Sequence, residues 1–444
     1  MRHRSRAALV GAVTLALAAG TVAPAFARNP LPGDHWAVAK RRVVSATAPL
    51  RIVAAVNPQL DAGGTTWQPD AAYASGGTLK ATSENIARTG SDVLYRHERV
   101  GVHDYTIPVS TPGTYFVDLF TSETPGVLPG QRVWNVSAEG QRKATVDVAR
   151  DAGTDTAYHV LFAVPVTDGT LNLHITPLVG QPVVAAVEVD YEKATTSPST
   201  LFDDEFDGAA GTSPSSANWS FAEGGNGWGN GELESYTSRP SNASLDGAGD
   251  LSITARQENY TGWDGINRNY TSARLNTRDT FAFQYGTAAA RIKVPSGGPG
   301  LWPAFWALGS NSASVAWPLC GEMDVLENTS SQPNTAYATV HAATRTDLTA
   351  QWLSGTSMTT AQPLSDSYHT FGLVWGPNAM SMSLDGQTYF SLSSADMAGT
   401  TLWNFNHPFF LLLDLAVGGT WSGYPTADTV FPATMSVDYV RVTG

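Results

Sequence analysis

Three acidic residues, Glu322, Asp324 and Glu327, lie close together in the second half of the sequence. In a β-strand, side chains two residues apart share a face, so Glu322 and Asp324 point the same way while the apolar residue between them points into the core. Glu327 has the wrong parity for that face in a regular strand. A β-bulge near Val325 and Leu326 would absorb one residue and return Glu327 to the acidic face.

Two carboxyl groups on one strand face have the chemistry to cleave a glycosidic bond. A retaining glycosidase holds its two carboxyl groups about 5–5.5 Å apart, whereas an inverting one needs about 6.5–9.5 Å, and placement on a single strand favours the shorter gap. We therefore assign Glu322 as the nucleophile and Glu327 as the acid/base. Asp324 would keep their protonation states apart. A solvated surface or a calcium site is the alternative for such an acidic strand.

Aromatic residues precede the acids, with Trp302 and Trp306 in the run from 300 to 309. The chain has 13 tryptophans, and ten of them follow residue 200. Indole rings stack on the C–H-rich faces of sugars, so this excess favours carbohydrate binding. For most individual rings, packing in the core is the alternative interpretation.

The elements that must position these residues have the sequence pattern of β-strands. Residues 251–255 and 291–294 alternate between apolar and polar side chains, and residues 409–417 form an apolar run expected for a strand buried on both faces. The pair Asp385 and Gly386 separates two alternating runs and predicts a hairpin. Because residues 50–192 also alternate and long helical periodicity is missing, we predict an all-β protein with two β-sandwich domains.

The N-terminus and the composition shifts predict the domain organisation. Residues 1–27 combine a basic start, an apolar run and small residues at a cleavage position, so we expect a signal peptide and a secreted, extracellular protein. Residues 28–48 stay unassigned. We predict a smaller β-sandwich at 49–193, a linker at 194–200 and the catalytic domain at 201–444.

The overall charge narrows the choice of partners. A formal net charge of -13 argues against nucleic acid and anionic membranes and fits a neutral polysaccharide. The single cysteine, Cys320, cannot form an internal disulfide, so core packing must supply the stability. We expect a monomer that requires no cofactor for catalysis.

The tryptophan run and the acidic strand together closely resemble glycoside hydrolase family 16. The run Trp-Pro-Ala-Phe-Trp begins at Trp302, and Gly-Glu-x-Asp-x-x-Glu-Asn begins at Gly321. Within the family this spacing looks like the laminarinase-type branch, whose members are endo-β-1,3-glucanases. Further segments in the family's order extend the resemblance through the second half of the chain: 228–234, 270–274, 285–286, 290–293, 415–421 and 437–442.

The resemblance implies a jelly-roll β-sandwich of the concanavalin A type, with an open cleft that suits internal cutting of a polymer. It also implies Glu322 as nucleophile, Asp324 as assistant and Glu327 as acid/base. Five further positions match those expected to touch sugar: Asn230, Arg274, Trp302, Trp306 and Trp421. We add His341, which would hydrogen-bond near the acids from a neighbouring strand, with a satisfied interior histidine as the alternative.

The chain departs from the family pattern at two places, and a metal site is a further expectation. Residues 285–291 lack the usual Arg-Phe-Glu after Tyr-Gly, and Asp414 stands where Asn is usual, so subsite preference stays open. The resemblance also implies a structural calcium ion at Glu205, Gly249 and Asp438, since oxygen ligands suit calcium. Ordinary polar contacts of the two acids are the alternative.

The first domain resembles malectin-like β-sandwiches, several of which bind sugars. The resemblance rests on residues 61–64, 93–95, 98–99, 113–120 and 131–136. We therefore hypothesise that residues 49–193 form a carbohydrate-binding module. Its candidate contacts are Tyr73, Tyr95 and Tyr105, and packing in the core is the alternative for each.

Three functional hypotheses follow from the sequence. The first is an endo-β-1,3-glucanase acting through a covalent glycosyl intermediate. The second is the same chemistry on a mixed-linkage β-1,3-1,4-glucan or a galactan. The third is a non-catalytic carbohydrate-binding protein, which the intact set of acids argues against because a binding module has no use for them.

Overall fold

The computed structural model describes residues 49–193, 199–397 and 401–444. The predicted signal peptide, the unassigned segment 28–48 and most of the predicted linker lie outside these residues. The described chain is nearly all-β, as predicted from the sequence. It contains no helix with the length and apolar character needed to cross a membrane.

The described residues up to 193 form two sheets that pack face to face. Their order is β2-β3-β1-β12-β6-β9 and β11-β5-β10-β7-β8, with β4 paired to β5. The strands are β1 Leu50–Val53, β2 Gln59–Leu60, β3 Thr66–Pro69, β4 Ala74–Ala81, β5 His97–Pro108, β6 Gly113–Thr121, β7 Val133–Ala138, β8 Gln141–Val146, β9 Tyr158–Val166, β10 Thr170–Val179, β11 Val183–Val184 and β12 Ala186–Lys193. Short helical turns are 3₁₀ at Asp70–Ala72 and Asp92–Leu94, and α1 at Val148–Asp151.

The tyrosines considered as sugar contacts of this first domain lie mainly in its interior. Tyr95 and Tyr105 are 0% and 1% exposed, so neither ring offers a face to a ligand. Tyr73 is partly buried against the same core. Of the two interpretations, the structure therefore favours core packing for Tyr95 and Tyr105.

The described residues from 199 onward form a second sandwich of two larger sheets. Their order is β15-β18-β17-β29-β20-β25-β26-β27, with β13 and β16 at its side, and β14-β19-β28-β21-β22-β23-β24. The strands and helix are β13 Thr200–Asp204, β14 Ser220–Phe221, β15 Glu234–Tyr236, β16 Ala243–Leu245, β17 Leu251–Thr261, β18 Asn267–Ser272, β19 Arg274–Asn276, β20 Gly286–Lys293, β21 Leu301–Gly309, β22 Glu322–Glu327, β23 Thr335–Ala343, β24 Gln351–Thr359, β25 His369–Trp375, β26 Ala379–Leu384, β27 Gln387–Ser393, α2 Ser394–Met397, β28 Phe409–Val417 and β29 Ala433–Thr443.

Several local patterns of the sequence are confirmed in this sandwich. The apolar run that becomes β28 is buried at every position and lies in the interior of the seven-stranded sheet, between β19 and β21. The alternating residues at the start of β17 place Leu251, Ile253 and Ala255 in the core. Asp385 and Gly386 form the two-residue turn between β26 and β27, and both have positive φ, as a type I′ turn requires.

The two sandwiches share a buried junction. His159 of β9 lies between two carboxylates: its Nδ1 is 2.9 Å from Asp118 Oδ2, and its Nε2 is 2.7 Å from Asp396 Oδ2 of α2. Tyr95 donates its hydroxyl proton to the other oxygen of Asp396. Beside this cluster, Phe116 of β6 packs within the core of the second sandwich.

Charge and apolar contact thus act together at this junction. Burial alone would lower the pKa of His159, but the charges of Asp118 and Asp396 raise it to about 10. The imidazole is therefore a cation at neutral pH, paired on both sides. Because burying one charge without a partner is costly, the junction holds the two sandwiches in a fixed contact.

Removing one partner of this cation tests the junction. We expect Asp396→Asn to lower the free energy of unfolding at pH 6 by about 3 kcal/mol, as measured by denaturant titration. The pKa of His159 is raised above its ordinary 6.5, so this stabilisation is full below that value and is lost as the pH rises through about 10. The difference between wild type and variant should therefore shrink from pH 6 to pH 10.

A matched exposed pair serves as the control. Asp385 accepts a hydrogen bond from His369, and its side chain is 53% exposed, so Asp385→Asn should cost less than about 1 kcal/mol. Equal losses for the two variants would contradict a special role for the His159 junction.

Candidate active site

The acidic strand β22 carries the bulge that the sequence predicts. Along β21, Phe305 pairs with Leu326 and Trp306 with Asp324, so Val325 is skipped. The register with β23 also shifts between Asp324 and Glu327. The Val325 carbonyl accepts a hydrogen bond of 2.6 Å from the hydroxyl of Tyr389, which lies on β27 of the opposite sheet. This hydrogen bond from the opposite sheet fixes the bulge, and the side chain of Glu327 lies on the same strand face as those of Glu322 and Asp324.

A histidine completes this acidic face. Register places His341 of β23 directly opposite Glu322. Its Nε2 lies 3.1 Å from Asp324 Oδ2 and 3.7 Å from Glu322 Oε1. Among the described residues, Glu322, Asp324 and His341 form the one group of three that brings potential metal ligands together. The structure thus places His341 beside the acids on a neighbouring strand, as the sequence analysis expected, while any contact of His341 with sugar stays a prediction.

Indole and hydroxyl donors orient the two glutamates. Trp317 Nε1 donates to Glu322 Oε2 over 3.1 Å. Trp302 Nε1 donates to Glu327 Oε1 over 3.1 Å, and the Thr339 hydroxyl donates to Glu327 Oε2 over 3.3 Å. Each carboxyl group is therefore held by a rigid ring, which fixes its direction above the sheet.

Burial and mutual repulsion set the protonation states. Burial and the charge of Asp324 raise the pKa of Glu322 to about 7 and that of Glu327 to about 8. Burial opposes a charge on His341, but contact with Asp324 and the charges of the glutamates raise its pKa to about 9. At neutral pH, His341 is a cation and Glu327 retains its proton more tightly than Glu322 does.

Arg274 of β19 lies between two tryptophans on one side of the acids. Its guanidinium carbon is 4.7 Å from the ring centre of Trp228 and 4.6 Å from that of Trp306. Trp306 Nε1 donates to Asp414 Oδ1 over 2.6 Å, so the carboxylate that replaces the usual Asn has a defined structural partner. Burial raises the pKa of Asp414 to about 6.

The remaining predicted sugar contacts lie around this group. Asn230 donates to Glu232, which also accepts from Tyr236. Trp421 packs 5.1 Å from Trp302, ring centre to ring centre. Trp302 and Trp306 thus lie on β21, the strand next to the acids, and Arg274 lies on β19 of the same sheet, while Asn230 and Trp421 lie on loops. Their contacts with sugar stay predictions.

Sequence reasoning missed three residues that hydrogen-bond to the glutamates or to the bulge between them. Trp317 is 46% exposed and lies just before the acidic strand. Its position in the sequence, among the many tryptophans near the acids, could have identified it as a candidate. Tyr389 and Thr339 carry no local signal, because only the folded register brings them to Val325 and Glu327.

The predicted calcium ligands are engaged elsewhere. Glu205 accepts from Arg441, and Asp438 is paired with Arg291. A calcium ion would have to compete with both arginines for these oxygens, so the pairs fit the alternative of ordinary polar contacts better than a preformed cation site. No step of the chemistry depends on such an ion, and the calcium site stays a prediction.

Comparisons with known proteins agree with this geometry. Residues 233–441 match the family model described as glycosyl hydrolases family 16, and residues 50–197 match the malectin domain. A beta-glucanase of Rhodothermus marinus is 36% identical over 250 residues, which cover 54% of this chain and 84% of that protein. A glucan endo-1,3-beta-glucosidase of Niallia circulans is 31% identical over 259 residues, 54% of this chain, but only 37% of that protein is covered.

A solved structure extends the likeness to the fold. The catalytic domain of an endo-1,3-beta-glucanase (laminarinase) from Thermotoga petrophila has a TM-score of 0.51 and 37% sequence identity. The match covers 56% of this chain and 98% of that domain. Similarity in sequence and in fold therefore falls on the sandwich that carries the acids.

The charge of Asp324 offers a test of the site's electrostatics. Its charge raises the pKa of both glutamates more than the opposite charge of His341 lowers them. We expect Asp324→Asn to lower the pKa of Glu322 and of Glu327, as followed by NMR titration of carboxyl carbons. Asp347→Asn, on an exposed loop, should leave both unchanged. Unaltered titration in Asp324→Asn would mean that burial alone sets these values.

Proposed function

Since the chain belongs to glycosyl hydrolase family 16, we propose that it is an endo-acting, retaining β-1,3-glucanase. The observation that carries this proposal is the bulged strand β22, which presents Glu322, Asp324 and Glu327 on one face. Two carboxyl groups with separated protonation states, held on one face, are what hydrolysis of a glycosidic bond through a covalent intermediate requires.

In the proposed first step, the sugar chain binds across the seven-stranded sheet. The ionised carboxylate of Glu322 attacks the anomeric carbon, while Glu327 transfers its proton to the glycosidic oxygen that leaves. The bond from the anomeric carbon to the leaving oxygen breaks, and an ester to Glu322 forms. Positive charge on His341 lowers the pKa of Glu322 and so offsets part of the rise that burial and Asp324 cause.

In the second step, Glu327 acts as a base. It takes a proton from water, whose oxygen attacks the anomeric carbon and displaces Glu322. The two inversions give net retention, and the enzyme returns to its starting protonation state. Trp302 and Thr339 keep the Glu327 carboxyl in one orientation through both proton transfers.

The substrate part of the proposal draws on chemistry and on relatives. A cleft floored by indole rings suits a neutral polymer, as does the acidic net charge of -13. Relatives named as β-glucanase and glucan endo-1,3-beta-glucosidase align over the sandwich with the acids. A polymer that accumulates outside cells also fits the proposed secretion, which rests on the N-terminal sequence pattern.

Replacement of each glutamate tests the two roles. On laminarin, Glu322→Gln should lower kcat by roughly 10⁴-fold, since the variant lacks a nucleophile. Glu327→Gln should lower kcat by roughly 10²–10⁴-fold. On an aryl glycoside whose leaving group needs no proton, Glu327→Gln should still form the glycosyl-enzyme, which mass spectrometry detects, whereas Glu322→Gln should not.

The same assay separates the competing functions. Wild-type protein is given laminarin, mixed-linkage glucan and galactan, and reducing ends and the first-formed anomer are followed. Release from mixed-linkage glucan or galactan alone would change the substrate assignment. Binding without release from any of them would point to a carbohydrate-binding protein, and an inverted anomer would overturn the retaining mechanism.

The bulge gives a second prediction. Tyr389→Phe removes the hydrogen bond to the Val325 carbonyl, so the position of Glu327 relaxes. We expect kcat on laminarin to fall roughly ten- to hundredfold and the free energy of unfolding to fall by about 1–2 kcal/mol.

Tyr115 provides the control for that variant. Its hydroxyl donates to the Thr111 carbonyl over 2.6 Å in the first sandwich, so it makes the same kind of bond far from the acids. Tyr115→Phe should lose similar stability and keep the wild-type kcat. If Tyr389→Phe loses stability but no activity, the bulge does not position Glu327.

A further inference from the structure

An exposed tryptophan lies at the tip of the hairpin that joins β17 and β18. Trp263 is 68% exposed, and its neighbour Ile266 is 55% exposed. An indole ring exposed in this way has a face free to stack on the C–H-rich face of a sugar. The mechanism proposed above makes no use of Trp263.

The hairpin that carries Trp263 is held in place. Arg268 pairs with Asp264 over 2.7 Å across the turn, and its guanidinium also reaches the Ser235 hydroxyl. A side chain on Gly225 would collide with Arg268, so the glycine allows the hairpin to lie directly against the loop at 222–228. Trp263 is therefore presented on a fixed element.

That loop connects Trp263 to the cleft. Trp263 Nε1 and Trp228 Cζ2 lie 3.5 Å and 4.0 Å from the point that a Cβ on Gly224 would occupy. The backbone of Trp228 has a positive φ of 48°, which a bulky residue adopts only when its surroundings impose it. The Trp228 ring in turn stacks on Arg274, which stacks on Trp306.

The order of the strands gives the direction of this aromatic series. The acids lie on β22, Trp306 on β21 and Arg274 on β19, with β28 between the last two. Three strand spacings correspond to roughly 14 Å, and Trp228 and Trp263 lie beyond Arg274. Trp263 is thus too remote to touch the bond that is cleaved, but it continues the aromatic series that begins at Trp306, opposite Asp324.

We propose that Trp263 forms a distal subsite that stacks on a sugar ring of a long glucan chain bound on the Arg274 side of the cleft. The inference rests on the proposed function. The ligand chemistry is that of a neutral β-linked polysaccharide, because Arg268, the arginine next to the tip, is already paired with Asp264 and the protein as a whole is acidic. A chain of only a few sugars that spans the acids does not reach the subsite.

This position predicts a contact that depends on chain length. Binding energy from a remote sugar is present both in the bound substrate and in the transition state, so its loss raises KM more than it lowers kcat. We expect Trp263→Ala to reduce the ratio of kcat/KM on laminarin to kcat/KM on a four-sugar β-1,3-oligosaccharide by roughly three- to tenfold. Trp263→Phe should restore part of that ratio.

A binding measurement in the Glu322→Gln background removes catalysis from the comparison. Adding Trp263→Ala should weaken affinity for laminarin in affinity electrophoresis by a similar factor. Ile266→Ala, on the same tip, should change neither the ratio nor the affinity. An equal loss on long and short chains, an unchanged ratio, or an equal effect of Ile266→Ala would each overturn the subsite.

The outcomes also separate this inference from the proposed function. If wild type cleaves laminarin and the ratio is unchanged in Trp263→Ala, the subsite alone is wrong. If wild type cleaves a different polysaccharide, the ratio of kcat/KM on long and short chains of that polymer, measured for Trp263→Ala and wild type, decides whether the subsite exists. If wild type cleaves none of them and does not bind them, the proposed function fails and the subsite fails with it.

Discussion

Repulsion among three carboxyl groups on one strand face is the constraint on which the rest of the site depends. Two like charges about 4 Å apart repel by roughly 4 kcal/mol in a partly buried setting, and β22 holds Glu322, Asp324 and Glu327 side by side. One cation, His341, reaches Asp324 and Glu322. The remaining repulsion is relieved by a proton on Glu327, whose pKa is raised more than that of Glu322. The same repulsion helps to raise the pKa of Glu327, the proposed acid.

A strand that carries three neighbouring carboxyl groups needs well-packed surroundings to hold its conformation. The adjacent strand β21, and β28 beyond it, have side chains that are almost all buried, and Tyr389 ties the bulge to the opposite sheet. The first sandwich packs against β25 to β27 and α2, elements on the far side from β22, and its charged junction lies there as well. The first sandwich therefore supports the sheet opposite the one that carries the acids.

The sequence pattern predicts those parts of the structure that depend on interactions between residues close together in the chain. The alternation of β17, the uniform burial of β28, the Asp385 turn and the bulge before Glu327 each depend on neighbouring residues, and each could be read from the sequence. Contacts between distant segments could not. Trp317 is near Glu322 in sequence, so their contact is local. Tyr389 contacts Val325, and Asp396 contacts His159, only because the sheets pack together in the folded protein. The arginines that pair with the expected calcium acids also come from other segments: Arg441 of β29 reaches Glu205, and Arg291 of β20 reaches Asp438.

Substrate binding should strengthen the difference between the two glutamates. A sugar chain lying over Trp302, Trp306 and the acids displaces water from carboxyl groups that are already mostly buried, and loss of water raises a carboxyl pKa further. His341 offsets this effect for Glu322, which it faces directly, more than for Glu327. The proton on Glu327 is therefore held most firmly when a glycosidic oxygen is in place to receive it. In the proposed mechanism, the rings that bind the sugar chain therefore also favour proton transfer from Glu327, which links the tryptophans beside the acids to the chemistry of the acids.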